Sequence, residues 1–342
     1  MQKSVTVAPN EAKAWAKENF KGIVTATIPT YTQDMKYLNE KAIAHDIAQH
    51  IKQGFLGASI ITEAGTSGEE TKRFIDLCVK YSKGRLLTSL LTTFSTVDEN
   101  LEMVKYARDA GVNMIQLGYP AMWRPSSVED VLKYTQRICE TSGLPTLLWA
   151  SSMWGWCEML EDPLNYPRDF LLKLAKIPNI IAMKQGTTDN NFWAEVYKTG
   201  VVPGHVVESL WPYWIQRFGG QWGGISVYNH VYYAPEYFRL LLDGDWQRGM
   251  ELYMKMGPLR RSWEDVILVE VGGGNIPWGW TGHNRLRWKY MQWLVGLNGG
   301  PIRGWYRIDN AFMKKIRASM IASDIPITKD PDSKFFEGRN PR

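Results

Sequence analysis

The sequence predicts an α/β fold, a (β/α)8 TIM barrel with a C-terminal helical extension. Across residues 22–227, eight short apolar, β-branched runs alternate with amphipathic segments. Each run is bounded by Gly, Pro, Asn or a charged residue, which is typical of strands buried on both faces of a parallel sheet. The short connections are typical of the closed barrel, although a doubly wound sheet would use the same elements.

The predicted strands are Gly22–Ile28, Gly57–Thr62, Leu86–Leu91, Met114–Leu117, Pro145–Trp149, Asn179–Met183, Gly204–Val207 and Gly224–Val227. The segments between them carry helical periodicity. In the first of these, for example, Ile43, Ile47 and Ile51 repeat every four residues and therefore share one face. The predicted helices are Leu38–Lys52, Glu69–Ser82, Thr96–Asp109, Val128–Thr141, Pro167–Ala175, Asn191–Thr199 and Leu210–Phe218.

After residue 232 the strand signal fades, and helical patterns follow at Pro235–Leu242, Asp245–Leu259, Arg285–Val295 and Asn310–Ser323. We therefore predict an N-terminal extension at residues 1–20, the barrel at 21–232, a C-terminal helical region at 233–323 and a tail at 324–342. The glycine cluster at residues 272–277 lacks the Lys-Ser/Thr ending of a phosphate loop, so we predict a plain loop there.

Composition narrows the class of protein. The chain has 342 residues, 44% of them hydrophobic, and no apolar run approaches the ~18 residues that span a bilayer. Its three cysteines are scattered, which indicates neither a disulfide framework nor a zinc knuckle. The net charge of +5 is spread among mixed charges, which disfavours a nucleic-acid surface. We expect a cytoplasmic protein that binds neither nucleic acid nor membrane.

The first candidate for chemistry is Lys184, which directly follows the apolar run Ile180–Met183 of the sixth predicted strand. In a (β/α)8 barrel the carboxyl ends of the strands carry the active site. Burial in an apolar mouth disfavours an ammonium ion and leaves a neutral amine that attacks a carbonyl carbon. An ordinary lysine that points outward from the strand end is the alternative for this residue taken alone.

The second candidate is the turn Gly65–Glu69, with the sequence Gly-Thr-Ser-Gly-Glu, which follows the second predicted strand and opens a helix. Its N–H groups and two hydroxyls at a helix N-terminus suit an anion such as a carboxylate. The alternative is a capping turn in which Ser67 is the capping hydroxyl. Beside a lysine on the same barrel face, the turn predicts a site for a 2-oxo acid.

These motifs resemble the dihydrodipicolinate synthase/N-acetylneuraminate lyase superfamily of class I, pyruvate-handling barrels. The resemblance rests on Gly65–Glu69, on the strand-Lys-x-Gly segment Ile181–Gly186 and on the Gly-Ile-Ser-Val run Gly224–Val227. It covers roughly residues 20–300 with the motifs in the expected order. It implies a tetramer of barrels, each followed by a helical region.

The resemblance also implies roles for individual residues. Lys184 would form an imine with the substrate, and Thr66 and Ser67 would hold the carboxylate of the 2-oxo acid. Gly186 and Ile225 would line the same pocket.

The chain departs from the family pattern beside the predicted imine. Family members place a proton-relaying tyrosine at the end of the fifth strand, where this chain has Trp149. Indole donates a hydrogen bond but has no practical acid–base chemistry. The stretch that supplies a supporting tyrosine in the family reads Pro120–Trp123 here, and the basic residue that often holds a second carboxylate is missing after the fifth strand.

Proton transfer must therefore fall to another group or to water. Glu63 is the first choice, because a carboxylic acid in an apolar mouth can be tuned toward neutral pH. A helix-end or salt-bridge carboxylate is its alternative role. Tyr119, Tyr228 and His230 also lie on suitable loops or strand ends.

Large apolar side chains indicate the second substrate. We predict that an apolar, largely aromatic mouth is formed by Met122, Trp123, Trp149, Trp154 and Trp156. Tyr228 is a further predicted substrate-binding residue. Such a mouth favours an apolar partner over a polar, acidic aldehyde. Among family branches it is similar to the hydratase-aldolases of aromatic degradation, which release pyruvate and an aryl aldehyde.

We therefore predict a carbon–carbon lyase, an aldolase or hydratase-aldolase, that releases or uses pyruvate through a Lys184 imine. No cofactor and no metal are expected, and the expected partners are a small-molecule 2-oxo acid and identical subunits in a homotetramer. Two alternatives stay open. One is an imine-dependent dehydratase or synthase of a biosynthetic pathway, and the other is a barrel that binds a 2-oxo acid without catalysis.

Overall fold

The structure is a computed structural model that describes residues 7–62, 66–120, 122–149, 167–185, 189–205, 208–218, 222–223, 233–262, 268–271, 274–277, 285–304 and 307–342. Its central feature is a closed barrel of eight strands in sequential order. The strands are β1 (Gly22–Thr27), β2 (Gly57–Ile60), β3 (Leu87–Leu91), β4 (Met114–Leu117), β5 (Thr146–Trp149), β6 (Ile180–Gln185), β7 (Val202–His205) and β8 (Trp222–Gly223).

All neighbouring strands in the barrel are parallel, and β8 closes it by pairing with β1, where Gly22 faces Trp222 in the register. The predicted α/β class and the parallel barrel arrangement are thereby confirmed. A parallel sheet puts every strand's carboxyl end at one rim, which therefore collects the residues that follow each strand.

A buried hydrogen-bond cluster identifies the concave face of the barrel. The hydroxyl of Ser59 on β2 lies 3.0 Å from that of Ser89 on β3 and donates to the amide oxygen of Gln116 on β4 at 2.5 Å. A side chain on β2 reaches β4 past β3 only on the inside of the curled sheet. Alternation along the strands then places Ala182 and Lys184 of β6 on the same inner face.

The described helices are α1 (Ala12–Asn19), α2 (Glu40–Lys52), α3 (Gly68–Ser82), α4 (Val97–Ala110), α5 (Val128–Ser142), α6 (Arg168–Ala175), α7 (Asn190–Lys198), α8 (Trp211–Phe218), α9 (Tyr233–Leu242), α10 (Trp246–Lys255), α11 (Gly257–Arg261), α12 (Arg285–Leu294), α13 (Asn310–Ala322) and α14 (Lys334–Glu337). Side-chain caps start several of them. Ser67, Thr96 and Ser127 accept from the backbone N–H three residues on, which fixes where α3, α4 and α5 begin after their strands.

Two predicted boundaries are corrected, and a third predicted element is not described. The predicted strand Gly204–Val207 begins earlier, at Val202, because Val201 and Val202 are fully buried. The predicted helix Asp245–Leu259 is broken into α10 and α11, since Pro258 fits the first turn of a helix but not its interior. The predicted strand Gly224–Val227 lies outside the described residues, and β8 precedes it.

The glycine cluster at residues 272–277 is not a plain loop. Leu268–Val271 (β9) and Gly274–Pro277 (β10) pair as an antiparallel hairpin, in which Val271 faces Gly274. The two residues between the strands are both glycine in the sequence, which is a hairpin signal. Those two glycines lie outside the described residues.

The C-terminal part of the chain packs onto the carboxyl rim of β1. On α12, Lys289 Nζ donates to the carbonyl oxygen of Pro29 at 3.0 Å and Gln292 Nε2 to that of Ala26 at 3.0 Å. The last residue also returns to this rim, because Gln33 N donates to the Arg342 carbonyl oxygen at 2.6 Å. At the opposite end, Lys13 of α1 donates to the carbonyl oxygens that end α6 and precede β7.

In the part of the chain that the structure describes, no helix is both long enough and apolar enough to cross a membrane.

Candidate active site

Lys184 is the penultimate residue of β6 and lies on the inner face of the barrel at its carboxyl rim. Its neighbours in the register are Trp149 on β5 and Gly204 on β7, and only 3% of its surface is exposed. The amine Nζ lies 4.7 Å from the centroid of the Trp149 ring. The alternative of an outward-pointing surface lysine is therefore wrong.

The electrostatics of Lys184 favour the neutral amine. Burial lowers the pKa of Lys184 to about 7, and the positive charge of Arg285 acts in the same direction. The Trp149 ring opposes them, because the face of an aromatic ring attracts a cation. Burial is the larger of the two causes that lower the pKa, and it favours the neutral amine that attack on a carbonyl carbon requires.

Trp149 is itself almost buried at the end of β5. Its indole faces the amine and offers a π surface to it. The same surface would face a protonated imine formed at this nitrogen. An indole in this position can stabilise a cation through its ring face, but it has no practical acid–base chemistry.

The hydroxyls of the predicted carboxylate turn are engaged in local structure. Ser67 is the N-cap of α3 and forms a capping box with Glu70, which confirms the capping alternative. The Thr66 hydroxyl donates to the Thr62 carbonyl oxygen at 3.1 Å and accepts from the Thr71 hydroxyl at 2.8 Å. Thr66 and Ser67 follow β2, four strands away from β6 around the same rim, and their role toward a carboxylate remains a prediction.

The predicted aromatic mouth is only partly described. Trp123 is half-buried and packs on Tyr119 and Tyr134, with ring centroids 6.2 and 5.0 Å away. The side chain of Met122 is 79% exposed. The Tyr119 hydroxyl lies 3.5 Å from that of Thr135 in α5, on the helix side of the sheet, which disfavours Tyr119 as a proton relay.

Several predicted site residues lie outside the described residues, and their roles remain predictions. They are Glu63, Gly65, Trp154, Trp156, Gly186, Ile225, Tyr228 and His230.

Two features near the lysine escaped the sequence analysis. The Ser59–Ser89–Gln116 cluster lies inside the barrel, with Gln116 one inward-facing position below the level of Trp149 and Lys184. Arg285 is 1% exposed at the start of α12. Neither has a local sequence signal, because an inward-facing polar residue and an arginine in a helix are both common in other settings.

A second buried lysine serves as an internal comparison. Burial lowers the pKa of Lys289 below the usual lysine value, while the nearby Asp46 carboxylate raises it. Its Nζ donates to the Pro29 carbonyl oxygen and to the Thr30 hydroxyl, so it holds α12 against the end of β1. These bonds give Lys289 a structural role.

A groove of about 730 Å³ opens at the other end of the barrel, between α2 and α9. Gly22, the first residue of β1, lines it together with Lys52 and Arg239. Because Lys184 lies at the carboxyl rim, this groove is separate from the candidate active site.

Comparison with known proteins agrees with this geometry. The model of the dihydrodipicolinate synthetase family matches residues 19–255, which include every barrel strand. The chain belongs to that family. The predicted resemblance is confirmed, and so is the prediction of an enzyme of the class I lyase and synthase type.

Curated relatives of the dihydrodipicolinate synthetase family are distant in sequence. The chain is 26% identical to a 4-hydroxy-tetrahydrodipicolinate synthase of Methanosarcina mazei over 299 residues, which cover 83% of this chain and 91% of the relative. It is 24% identical to the enzyme of the same name from Phenylobacterium zucineum over 262 residues, covering 71% and 82%.

Solved structures share the fold. Dihydrodipicolinate synthase from Aquifex aeolicus superposes with a TM-score of 0.70 at 17% identity, covering 91% of this chain and all of that one. N-acetylneuraminate lyase from Fusobacterium nucleatum in complex with pyruvate has a TM-score of 0.69 at 16% identity, covering 88% and 96%. At these identities the likeness establishes the fold alone.

Proposed function

We propose that the protein uses Lys184 as a Schiff-base nucleophile to break or form a carbon–carbon bond next to a 2-oxo acid, with pyruvate as the released or consumed part. The observation that carries the proposal is the buried Lys184 amine, with a pKa of about 7, at the carboxyl rim of a family barrel. The pyruvate bound to the N-acetylneuraminate lyase of similar fold supports pyruvate as the ligand class.

The proposed reaction begins when the neutral Nζ attacks C2 of the 2-oxo acid and water is lost. The protonated imine then withdraws electrons from the bond between C3 and C4. When C4 carries a hydroxyl, loss of its proton breaks that bond and releases an aldehyde, leaving an enamine of pyruvate. Protonation at C3 and hydrolysis of the imine release pyruvate and restore the lysine. An arylidene-pyruvate enters the same sequence after water adds across C3 and C4.

An aryl group is the proposed substituent at C4. Trp149 presents an aromatic face at the reacting nitrogen, and the half-buried Trp123 lies on the loop after β4 at the same rim. The imine itself accepts the electrons, so we propose that no metal or cofactor takes part. Glu63 is the proposed acid–base group. A homotetramer is the proposed assembly, which sedimentation of the purified protein tests. The cytoplasm is the proposed compartment.

A synthase reaction is the second candidate, because the curated relatives are named 4-hydroxy-tetrahydrodipicolinate synthases. It shares the Lys184 imine and differs in the carbonyl compound that meets the pyruvate enamine. The two are separated by supplying pyruvate with either an aryl aldehyde or an acidic aliphatic aldehyde and following consumption of each.

The deciding experiment is borohydride reduction in the presence of pyruvate, followed by intact-mass and peptide analysis. We expect one adduct per chain, on the peptide that contains Lys184. We expect none on the peptide that contains Lys289, because that amine donates hydrogen bonds to the Pro29 carbonyl oxygen and the Thr30 hydroxyl. An adduct on Lys289 alone, or on neither lysine, overturns the proposal. An adduct without aldehyde release from arylidene-pyruvates overturns the aldolase version and favours the synthase.

A further inference from the structure

The groove of about 730 Å³ at the amino end of the barrel is lined by parts of the chain that are distant in sequence. Residues 21–23 at the start of β1 and the end of α2 belong to the barrel, whereas α9, Val295 and Pro326 belong to the C-terminal part. The two parts are joined beside the groove, because Gln53 Nε2 donates to the Val295 carbonyl oxygen at 3.0 Å. A molecule in the groove would therefore contact both parts at once.

Much of the lining is apolar and held in place by the core. Ile23 and Phe238 are only 1% and 2% exposed, and Leu56 and Leu242 pack against the same core. Gly22 lets Leu56 lie directly on the start of β1, since its φ is 145° and a Cβ there would lie 2.9 Å from the Leu56 Cβ. These side chains present a fixed apolar surface, which binds an apolar body by removing it from water.

The charged residues of the lining are mostly basic. They are Lys21, Lys52 and Arg239, with Glu236 as the one acid of this lining. Arg239 is already paired with Asp243 at 2.7 Å. Lys21 and Lys52 are exposed and form no ion pair with a carboxylate among the residues that the structure describes. Lys52 also ends α2, where a cation favours the helix dipole, so the evidence for a site is the combination of two lysines with the apolar surface.

The two kinds of surface together select the class of ligand. A hydrophilic anion would gain nothing from the apolar lining, and a neutral hydrocarbon would gain nothing from the lysines. A small molecule with an apolar body and one carboxylate uses both. The volume of the groove lies within the roughly 300–1,000 Å³ of small-molecule sites, and the Phe238 ring in its lining suits an aromatic body.

We propose that this groove is a binding site for a small aryl carboxylate, separate from the site at Lys184. The aryl body covers Ile23, Leu56 and Phe238, while Lys21 and Lys52 hold the carboxylate. The proposal goes beyond the function proposed for Lys184 and does not depend on an imine. Because the groove spans the barrel and the C-terminal part of the chain, the bound carboxylate also holds α9 against α2.

The test is calorimetric titration of the full chain with 2-naphthoate and with 2-naphthylmethanol, which has the same aryl body without the charge. The proteins are the wild type, Lys52→Met and the double variant with Lys21→Met. Lys41→Met is the matched control, because Lys41 is an exposed lysine of the same helix, α2, and does not line the groove. Circular dichroism checks that each variant folds.

We expect the wild type to bind the carboxylate more tightly than the alcohol. The dissociation constant of the carboxylate is expected to rise about 2–5-fold in Lys52→Met and roughly 5–20-fold in the double variant, while that of the alcohol changes less than about twofold. Raising the salt concentration from about 0.01 M to about 0.5 M should weaken binding of the carboxylate only. Saturating carboxylate should raise the unfolding temperature of the wild type, and Lys41→Met should match the wild type throughout.

The same titration in Lys184→Met separates this groove from the active site. Binding that is unchanged there supports the groove, whereas binding that is lost places the aryl carboxylate at the barrel mouth and overturns the proposal. Equal affinities for the carboxylate and the alcohol, or a double variant that binds like the wild type, overturn it as well. If the wild type binds neither compound and sedimentation shows that the double variant changes the oligomeric state, the groove is an interface between copies of the chain. None of these outcomes affects the imine proposed at Lys184, which borohydride trapping tests by itself.

Discussion

Arg303 and Glu70 form an ion pair that joins the segment after α12 to the start of α3. The Arg303 Nη1 atom donates to both Glu70 oxygens, at 2.8 and 2.6 Å, and both side chains are about three-quarters buried. The Nε and Nη2 atoms donate to the Met35 carbonyl oxygen in the loop after β1. Because Glu70 also closes the capping box on Ser67, this one guanidinium supports the turn predicted to meet the carboxylate.

We therefore expect Arg303→Met to destabilise both the fold and the turn. Removing one partner of this largely buried, hydrogen-bonded pair leaves Glu70 with fewer donors, which costs on the order of 1–3 kcal/mol in the free energy of unfolding. Urea denaturation measures this. If the turn contributes to binding, the half-saturating pyruvate concentration in borohydride trapping rises by about threefold or more.

Lys72→Met is the matched control, because it removes the ion pairs of Lys72 with the exposed Glu69 and Glu102 without touching the capping box. It is expected to leave the free energy of unfolding almost unchanged, because ion pairs of an exposed lysine are screened by solvent. A double variant with Glu70→Gln tests the pairing directly. Strictly additive losses in Arg303→Met and Glu70→Gln would contradict a coupled pair.

The second prediction concerns pH. The attacking form of Lys184 is the neutral amine, and its pKa is lowered to about 7, mainly by burial. The initial rate of imine trapping with pyruvate should therefore rise roughly tenfold between about pH 6 and about pH 8 and then level off. Quenching with borohydride after short incubations gives the rate. A midpoint near the ordinary lysine pKa of 10.5 would contradict a buried, perturbed amine.

The sequence predicted the barrel well because each buried strand carries a dense apolar signal of its own. The run Ile180–Met183 is fully buried in the structure, and Lys184 directly after it continues β6 into the rim. The chemical role of Lys184 was predicted from its place at the carboxyl end of a barrel strand, where active sites of such barrels lie. Strand boundaries were predicted less accurately where a residue is unusual for its position. Pro203, for example, lies inside β7 although proline is uncommon within a strand.

What the sequence did not predict depends on contacts between distant segments. Lys289 and Gln292, for example, dock α12 on the β1 segment, more than 250 residues earlier in the chain. Glu70 likewise pairs with Arg303, which lies 233 positions away in the sequence. No local periodicity encodes such pairs, since either partner alone is a common surface residue.

The third prediction is that Lys184 lowers the stability of the fold. Between pH 7 and 10.5 the unfolded lysine holds a proton that the folded one lacks, so the wild type gains stability as pH rises through this window. Lys184→Met removes the effect. It should be more stable than the wild type near neutral pH, on the order of a few kcal/mol, with the difference shrinking toward about pH 10.

Urea denaturation of the wild type and of Lys184→Met, each near neutral pH and near about pH 10, measures this difference in the free energy of unfolding. Lys289 is present in both, so its own titration cancels. Lys176→Met removes an exposed lysine just after α6 and should leave stability unchanged. A wild type more stable than Lys184→Met near neutral pH would show that the charged form of Lys184 is well solvated or paired.

The last prediction addresses the proton relay at Trp149, whose ring centroid lies 4.7 Å from the amine. Trp149→Tyr places a phenol, which can relay a proton, beside the imine, while Trp149→Phe supplies the same ring without the hydroxyl. If the relay is absent at this position in the wild type, Trp149→Tyr should speed deuterium exchange at C3 of pyruvate by roughly 100-fold over Trp149→Phe. Nuclear magnetic resonance in D₂O measures the exchange, and borohydride trapping checks that both variants still form the imine. Equal exchange in the two variants would mean that another group already moves the proton at full rate, and Glu63→Gln would then be the variant expected to abolish exchange while leaving the trapped imine intact.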